Sequence, residues 1–137
     1  MSPDIEQKIR RSFAAQAMMT TLGARLVGLS DGATVIEAPI LPSSRQQHGF
    51  GHAGLTFAIG DSAAGYAALS LMPDGAEVLT TEMKINLLAP AQGERLIARG
   101  RVIKPGRRLV IVQADVYAVQ DGVETHIALL TGTMIPV

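Results

Sequence analysis

The spacing of apolar residues changes along the chain, and each change marks a new element. Ile5, Ile9, Phe13 and Ala17 recur every four residues, which predicts an amphipathic helix over residues 3–20. Ser2 can cap it, Pro3 suits its first position, Asp4 favours the positive dipole end, and Gly23 follows it. Residues 24–30 and 33–40 read as strands around the hairpin signal Ser30-Asp31-Gly32. Pro39 is expected at a strand end or on an edge. Residues 41–51 (LPSSRQQHGFG) form a loop dense in turn formers. Residues 52–72 read as one long apolar helix, which Pro73-Asp74-Gly75 stops. Its glycines, Gly54, Gly60 and Gly65, weaken a helix, so their presence predicts something packed close to this backbone. Strands are predicted at about 77–89, 94–104, 107–119 and 123–135, with breaks at residues 90–93, at Pro105-Gly106 and at Asp121-Gly122. In the third of these, Val110, Val112, Ala114, Val116 and Ala118 alternate with the residues between them, a period of two.

Short connections between strands argue for antiparallel pairing. A single sheet of this kind buries its apolar face most simply by curling around the one hydrophobic helix. The expectation is an α+β chain with the hotdog architecture: an antiparallel sheet wrapped around a long central helix, plus an N-terminal helix. Residues 1–137 read as one domain.

Composition narrows the partners. Twelve basic residues balance twelve acidic ones, which argues against nucleic acid, because phosphate binding needs a basic footprint. No Cys is present, which excludes disulfides, thiolate metal sites and a Cys nucleophile and fits a cytoplasmic location. The first twenty residues carry charges throughout, unlike a secretory leader. Residues 53–72 are apolar enough to suggest a membrane span. Asp61 near their middle would cost about 2.5–3.5 kcal/mol there, so a buried core helix is the better reading, with no membrane partner.

The loop Gln46-Gln47-His48-Gly49-Phe50-Gly51-His52-Ala53-Gly54 leads into the central helix. A helix start offers unpaired N–H groups and a positive dipole end, which can stabilise a developing oxyanion. Asp61, nine residues after His52, places a carboxylate in an apolar helix, where desolvation raises its pKa and suits it to act as base or nucleophile. Ala53 and Asp61 are eight residues, or about 12 Å, apart along the helix. Two antiparallel copies of the helix would bring Ala53 of one against Asp61 of the other, so a site across a homodimer interface is expected. His48 and His52 stand four apart, but Gly49 and Gly51 disfavour the helix that a metal pair would need, so no metal is expected. Gly49, Gly51 and Gly54 are not a dinucleotide fingerprint, because no βαβ unit surrounds them.

His52-Ala53-Gly54, Asp61 and the stretch Thr80-Thr81-Glu82-Met83-Lys84-Ile85-Asn86-Leu87-Leu88-Ala89-Pro90 resemble the hotdog-fold acyl-CoA thioesterases, most closely the phenylacetate-pathway (PaaI-like) branch. The resemblance covers about residues 20–135. It implies that Asp61 is the catalytic carboxylate, as general base or nucleophile. It implies that Gln46, fifteen residues earlier, contacts the thioester or the attacking water, and that the Ala53 N–H donates to the thioester oxygen. His52 becomes an auxiliary group, Gly49 and Gly54 lie beside the substrate, and Thr80 helps to position water from the partner chain. Ala53 departs from the Gly common at its position, which keeps the backbone donor and tightens the pocket mouth. Dimers, often paired into homotetramers, are implied, and no cofactor beyond the coenzyme A of the substrate.

Each of these residues also has a plainer reading. Asp61 could be a hydrogen-bonded structural Asp, Gln46 a loop residue, His52 a helix cap and Thr80 a β-former. Arg107 and Arg108, in the turn Lys104-Pro105-Gly106-Arg107-Arg108, read either as a solvated tip or as contacts to coenzyme A phosphates. The leading expectation is an acyl-CoA thioesterase. A non-catalytic acyl-CoA-binding module is the alternative, although it leaves Asp61 without a purpose. A hotdog dehydratase ranks last, because no His-Phe-Pro stretch is present. Acyl preference is set by how Phe50, Phe57 and Tyr66 pack.

Overall fold

The alternation over residues 110–118 becomes a central strand, with Val112, Ala114 and Val116 fully buried on one face. A computed structural model describes all residues 1–137. Its elements are α1 (Pro3–Ala15), α2 (Ala17–Leu22), β1 (Arg25–Ser30), β2 (Ala33–Pro39), α3 (Ala53–Leu69), β3 (Val78–Leu87), β4 (Arg95–Pro105), β5 (Val110–Gln120) and β6 (Val123–Pro136), with a short 3-10 turn at Pro42–Ser44. The strands form one antiparallel sheet in the order β1-β2-β4-β5-β6-β3. The sheet wraps α3, so the hotdog expectation holds. No helix is long and apolar enough to cross a membrane.

The core lies between α3 and the concave face of the sheet. Ile59, Ala63, Ala64 and Ala68 on the helix meet Ile36, Leu96, Ala98, Val112 and Leu130 on the strands, all nearly inaccessible to solvent. Close packing is real at Gly60, where an added Cβ would stand 2.8 Å from Leu130. Gly65 has room for one, and a Cβ on Gly54 would meet only the ring of His52. A tighter seat against α3 is on the sheet, at Gly100 of β4. A Cβ there would stand 2.6 Å from the backbone nitrogen of Ala64, so helix and strand touch backbone to backbone. Beside it, the Thr34 hydroxyl donates to the carbonyl of Ala63.

Four boundaries differ from expectation. The helix expected over 3–20 breaks at Gln16, whose backbone is extended (φ −74°, ψ 99°). Burial then passes to Met19 and Leu22, and Ala17 is left exposed. The central helix ends at Leu69 and tightens through two further turns to Met72, with the Ser70 hydroxyl donating to Ala67 (2.7 Å) and accepting from the Gly32 N–H (2.8 Å). Strand β5 starts at Val110, because residues 106–109 form the turn. Strand β3 stops at Leu87. Pro39 ends β2 beyond the last partner in β1, where its missing N–H costs no ladder bond on that side.

Candidate active site

The loop before α3 is held in place by backbone bonds. The His52 N–H donates to Ser44 (2.9 Å) and the Gly51 N–H to Ala91 (2.8 Å). Between them the chain makes a tight turn in which the Gln46 N–H donates to Phe50 (2.8 Å). Gly49 there has φ +88°, a left-handed conformation that favours glycine. The side-chain oxygen of Gln46 accepts from the N–H groups of His48 (2.5 Å) and Phe50 (3.2 Å). The Gln46 amide nitrogen keeps its donors free of the turn.

His52 caps α3: its Nδ1 accepts the Gly54 N–H at 2.8 Å, and its carbonyl accepts from Leu55 and Thr56. With Nδ1 accepting, a neutral ring carries its proton on Nε2. The N–H groups of Gly54, Leu55 and Thr56 are thus used, and the Ala53 N–H alone in this first turn has no partner. The N–H of Gly54, a residue expected beside the substrate, is already committed to His52. Ala53, Gln46, Phe50 and Thr56 line a cavity of about 440 Å³, closed by Leu87, Leu88 and Ile127 among others.

Asp61 lies two turns further along the same helix. It is partly buried, and Thr80 of β3 donates to its Oδ1 at 2.8 Å. Burial raises its pKa above the ordinary carboxylate value of 3.8, and the Thr80 bond offsets part of that rise. Thr80 therefore joins Asp61 within one chain. A second cavity, of about 230 Å³, lies beside them and is lined by Ser12, Gln16, Ser62 and Tyr66 as well.

The two clusters stay apart within the chain, since Ala53 and Asp61 are about 12 Å apart along α3. They share one face of it: Ala53, Gly54 and Phe57 are exposed, and Ala58, Asp61 and Ser62 half-buried. Gly49 is exposed with open space around its Cα. Arg107 and Arg108 occupy the exposed β4–β5 tip and line neither cavity. The tip lies at the Thr80 end of the sheet, because Val110 pairs with Met134 and Met134 with Thr80. Sequence reasoning missed Ser12 on α1 and Gln16 just beyond it, which reach Asp61's cavity from nearly fifty residues away in the chain. It missed Thr56, Leu88 and Ile127 of the other cavity, which no local pattern marks.

Residues 48–125 match the thioesterase superfamily model. A thioesterase family protein from Silicibacter pomeroyi shares 48% identity, with 97% of this chain and 98% of that one covered and a TM-score of 0.95. The Escherichia coli PaaI protein of the phenylacetic acid degradation operon has the same fold (20% identity, 97% and 93% covered, TM-score 0.85). So does the thioesterase SAV0944 of Staphylococcus aureus (22% identity, 87% and 97% covered, TM-score 0.80), solved with a Gln replaced by Ala and, separately, with a Glu replaced by Ala. The chain belongs to the thioesterase superfamily and is a thioester hydrolase with the hotdog fold.

Proposed function

We propose that the chain hydrolyses acyl-CoA thioesters at a site shared between two subunits. The observation that carries this reading is the pair of groups on one open face of α3: an unpaired Ala53 N–H at its start and the Asp61 carboxylate about 12 Å along it. Neither suffices alone, because acyl transfer needs donor and nucleophile each about 3 Å from the reacting group. An antiparallel second copy supplies the missing partner at both ends. The open surface favours such a copy. Strand β3 is a sheet edge of ten residues, with Leu79 and Leu87 exposed along it, Leu88 just beyond and Phe57 exposed on α3. An exposed apolar edge of this length is a template for pairing.

In the proposed reaction, Ala53 N–H and the Gln46 amide of one subunit hold the thioester oxygen. Asp61 of the other, positioned by Thr80, takes a proton from water or attacks the carbonyl carbon itself. In the first route the water oxygen bonds to that carbon. In the second a mixed anhydride forms and water cleaves it. Either way the C–S bond breaks, the thiolate leaves and takes up a proton, and free acid and CoA-SH result. A thiolate leaves readily, so no strong general acid is needed and no cofactor enters. SAV0944 supports the roles of Gln46 and Asp61: the Gln and Glu replaced in it are fifteen residues apart, as these two are.

The test is thiol release from aromatic, short, medium and long acyl-CoAs by wild type and Asp61→Asn. The expected result is turnover by wild type and a loss of about 10²–10⁴ in the variant, the range of one acid–base group. Binding without turnover in both would leave a binding module. Undiminished turnover in the variant would remove Asp61 from the mechanism.

A further inference from the structure

The cavity beside Asp61 has a wall that the proposed hydrolysis does not use. Gln16, the residue that interrupts the N-terminal helix, caps neither helix with its side chain. The side chain instead enters the cavity, where its amide nitrogen donates to the Tyr66 hydroxyl at 2.6 Å. Ser12 shares a hydrogen bond with the same hydroxyl at 3.0 Å, and Ser62 reaches the Gln16 oxygen at 3.5 Å. Tyr66 is 4% exposed, and Phe13 packs its ring edge on it with centroids 6.2 Å apart. A phenol oxygen, an amide and two hydroxyls thus meet at the end of a pocket in an otherwise apolar helix.

Its direction, its size and its hydrogen-bonding capacity bear on what such a pocket accepts. Asp61, Ser62, Gly65, Tyr66 and Leu69 lie along one side of α3, so the cavity runs from the carboxylate toward the helix C-terminus, away from the oxyanion end. Helix α1, anchored by the fully buried Ile9, contributes Ser12 to its wall. A pantetheine arm must reach solvent, whereas an acyl group ends inside. Tyr66 lies about 7 Å beyond Asp61 along the axis, the reach of a short acyl chain. At about 230 Å³ the cavity falls below the roughly 300 Å³ at the small end of ligand pockets. The wall also keeps spare capacity: one Gln16 N–H and one position on the Tyr66 hydroxyl, its O–H or a lone pair depending on which way the Ser12 bond runs, remain after the internal bonds. The other cavity, mostly apolar in its lining, offers no such cluster.

We propose that this cavity is the acyl pocket and that Tyr66, Gln16 and Ser12 select short acyl groups carrying a hydroxyl or oxo group near their far end. This rests on the acyl-CoA thioesterase reading above. A long alkyl chain would press its methyl end against the polar wall. The test compares kcat/KM for hexanoyl-CoA, ω-hydroxyhexanoyl-CoA and dodecanoyl-CoA in wild type, Tyr66→Phe and Gln16→Leu, each checked for a cooperative melt. Wild type is expected to prefer the hydroxylated ester by about tenfold, the worth of one hydrogen bond in a site already internally paired, and to use dodecanoyl-CoA worst. The hydroxyl preference is expected to fall toward one in both variants. Two variants on different elements keep the test open if one folds poorly. A wild-type ratio near one, a preference for dodecanoyl-CoA, or a ratio unmoved in both folded variants overturns the proposal. Hydrolysis of none of the three esters overturns the thioesterase reading, and this one with it. Hydrolysis without hydroxyl discrimination overturns this one alone.

Discussion

A single backbone hydrogen can be deleted from the proposed site by substitution, because Ala53 is the first residue of α3. Proline is favoured at that position: its fixed φ suits a helix start and its missing N–H is one a helix leaves unbonded. The residue before a proline must be extended, and His52 already is, at φ −67° and ψ 143°. Ala53 is exposed, so the ring has room. Ala53→Pro therefore removes the one N–H of the first turn that has no partner. Stability is expected to change by less than about 0.5 kcal/mol, as at a surface site without special contacts. Activity is expected to fall far more. Loss of one oxyanion donor costs about 2.7–4 kcal/mol, or about 10²–10³ in kcat. Urea unfolding and thiol release on the same preparation measure the two effects. A stable Ala53→Pro protein with kcat within about threefold of wild type would refute the oxyanion role.

Purified heterodimers test the shared site. Ala53→Pro paired with Asp61→Asn retains one intact site of two and about half the activity, whereas wild type paired with the double variant has none; a site within one chain gives the reverse pattern. Because the proposed mechanism needs Asp61 ionised and its pKa is raised, kcat/KM is expected to fall on acidification above the ordinary carboxylate range. Thr80→Val, which removes a bond to the charged form, moves that limb to still higher pH in the pH–rate profile. The same shift has a stability sign: the folded pKa exceeds the unfolded one, so wild-type stability declines as pH rises from about 3.8 through the raised value. Asp61→Asn should therefore melt higher than wild type at neutral pH, with the gap closing in acid. Gly100→Ala forces a methyl group into the backbone of α3 and should cost about 1–3 kcal/mol or more in urea unfolding.

Some of this architecture is legible in local sequence and some is not. The central helix shows itself because its apolar run is long and bounded by glycines, prolines and turn formers, and Asp61 stands out against it. The His52 cap and the left-handed Gly49 follow from residue chemistry. Strand order does not: that β3 pairs with β6 and lies at the sheet edge depends on partners some fifty residues apart, as in Thr80 with Met134. The break at Gln16 carries no Pro or Gly, so nothing nearby announces it. Its reason lies in Tyr66, fifty residues on. The Gln46 side chain was expected to face substrate, yet its oxygen is held by its own turn, a detail set by three-dimensional closure of the loop. Thr80 entered the candidate site only through family resemblance, and no spacing rule on its strand announces its bond to Asp61.

The contact between Gly100 and Ala63 also sets the tolerances of the proposed chemistry. Ala63 is two residues from Asp61, and the same stretch of helix is gripped by the Thr34 hydroxyl. The carboxylate's height above the sheet is thus gauged by two bare backbones with no side chain between them. Any spacer at that point lifts Asp61 relative to Thr80 and to the second copy proposed to complete the site, and a displacement of about 1 Å can cost about 10²-fold in rate. A second mutation elsewhere that restores folding free energy would leave the displacement in place. Gly100 is in this sense a calibration point of the enzyme: thermodynamic rescue and kinetic rescue part company there.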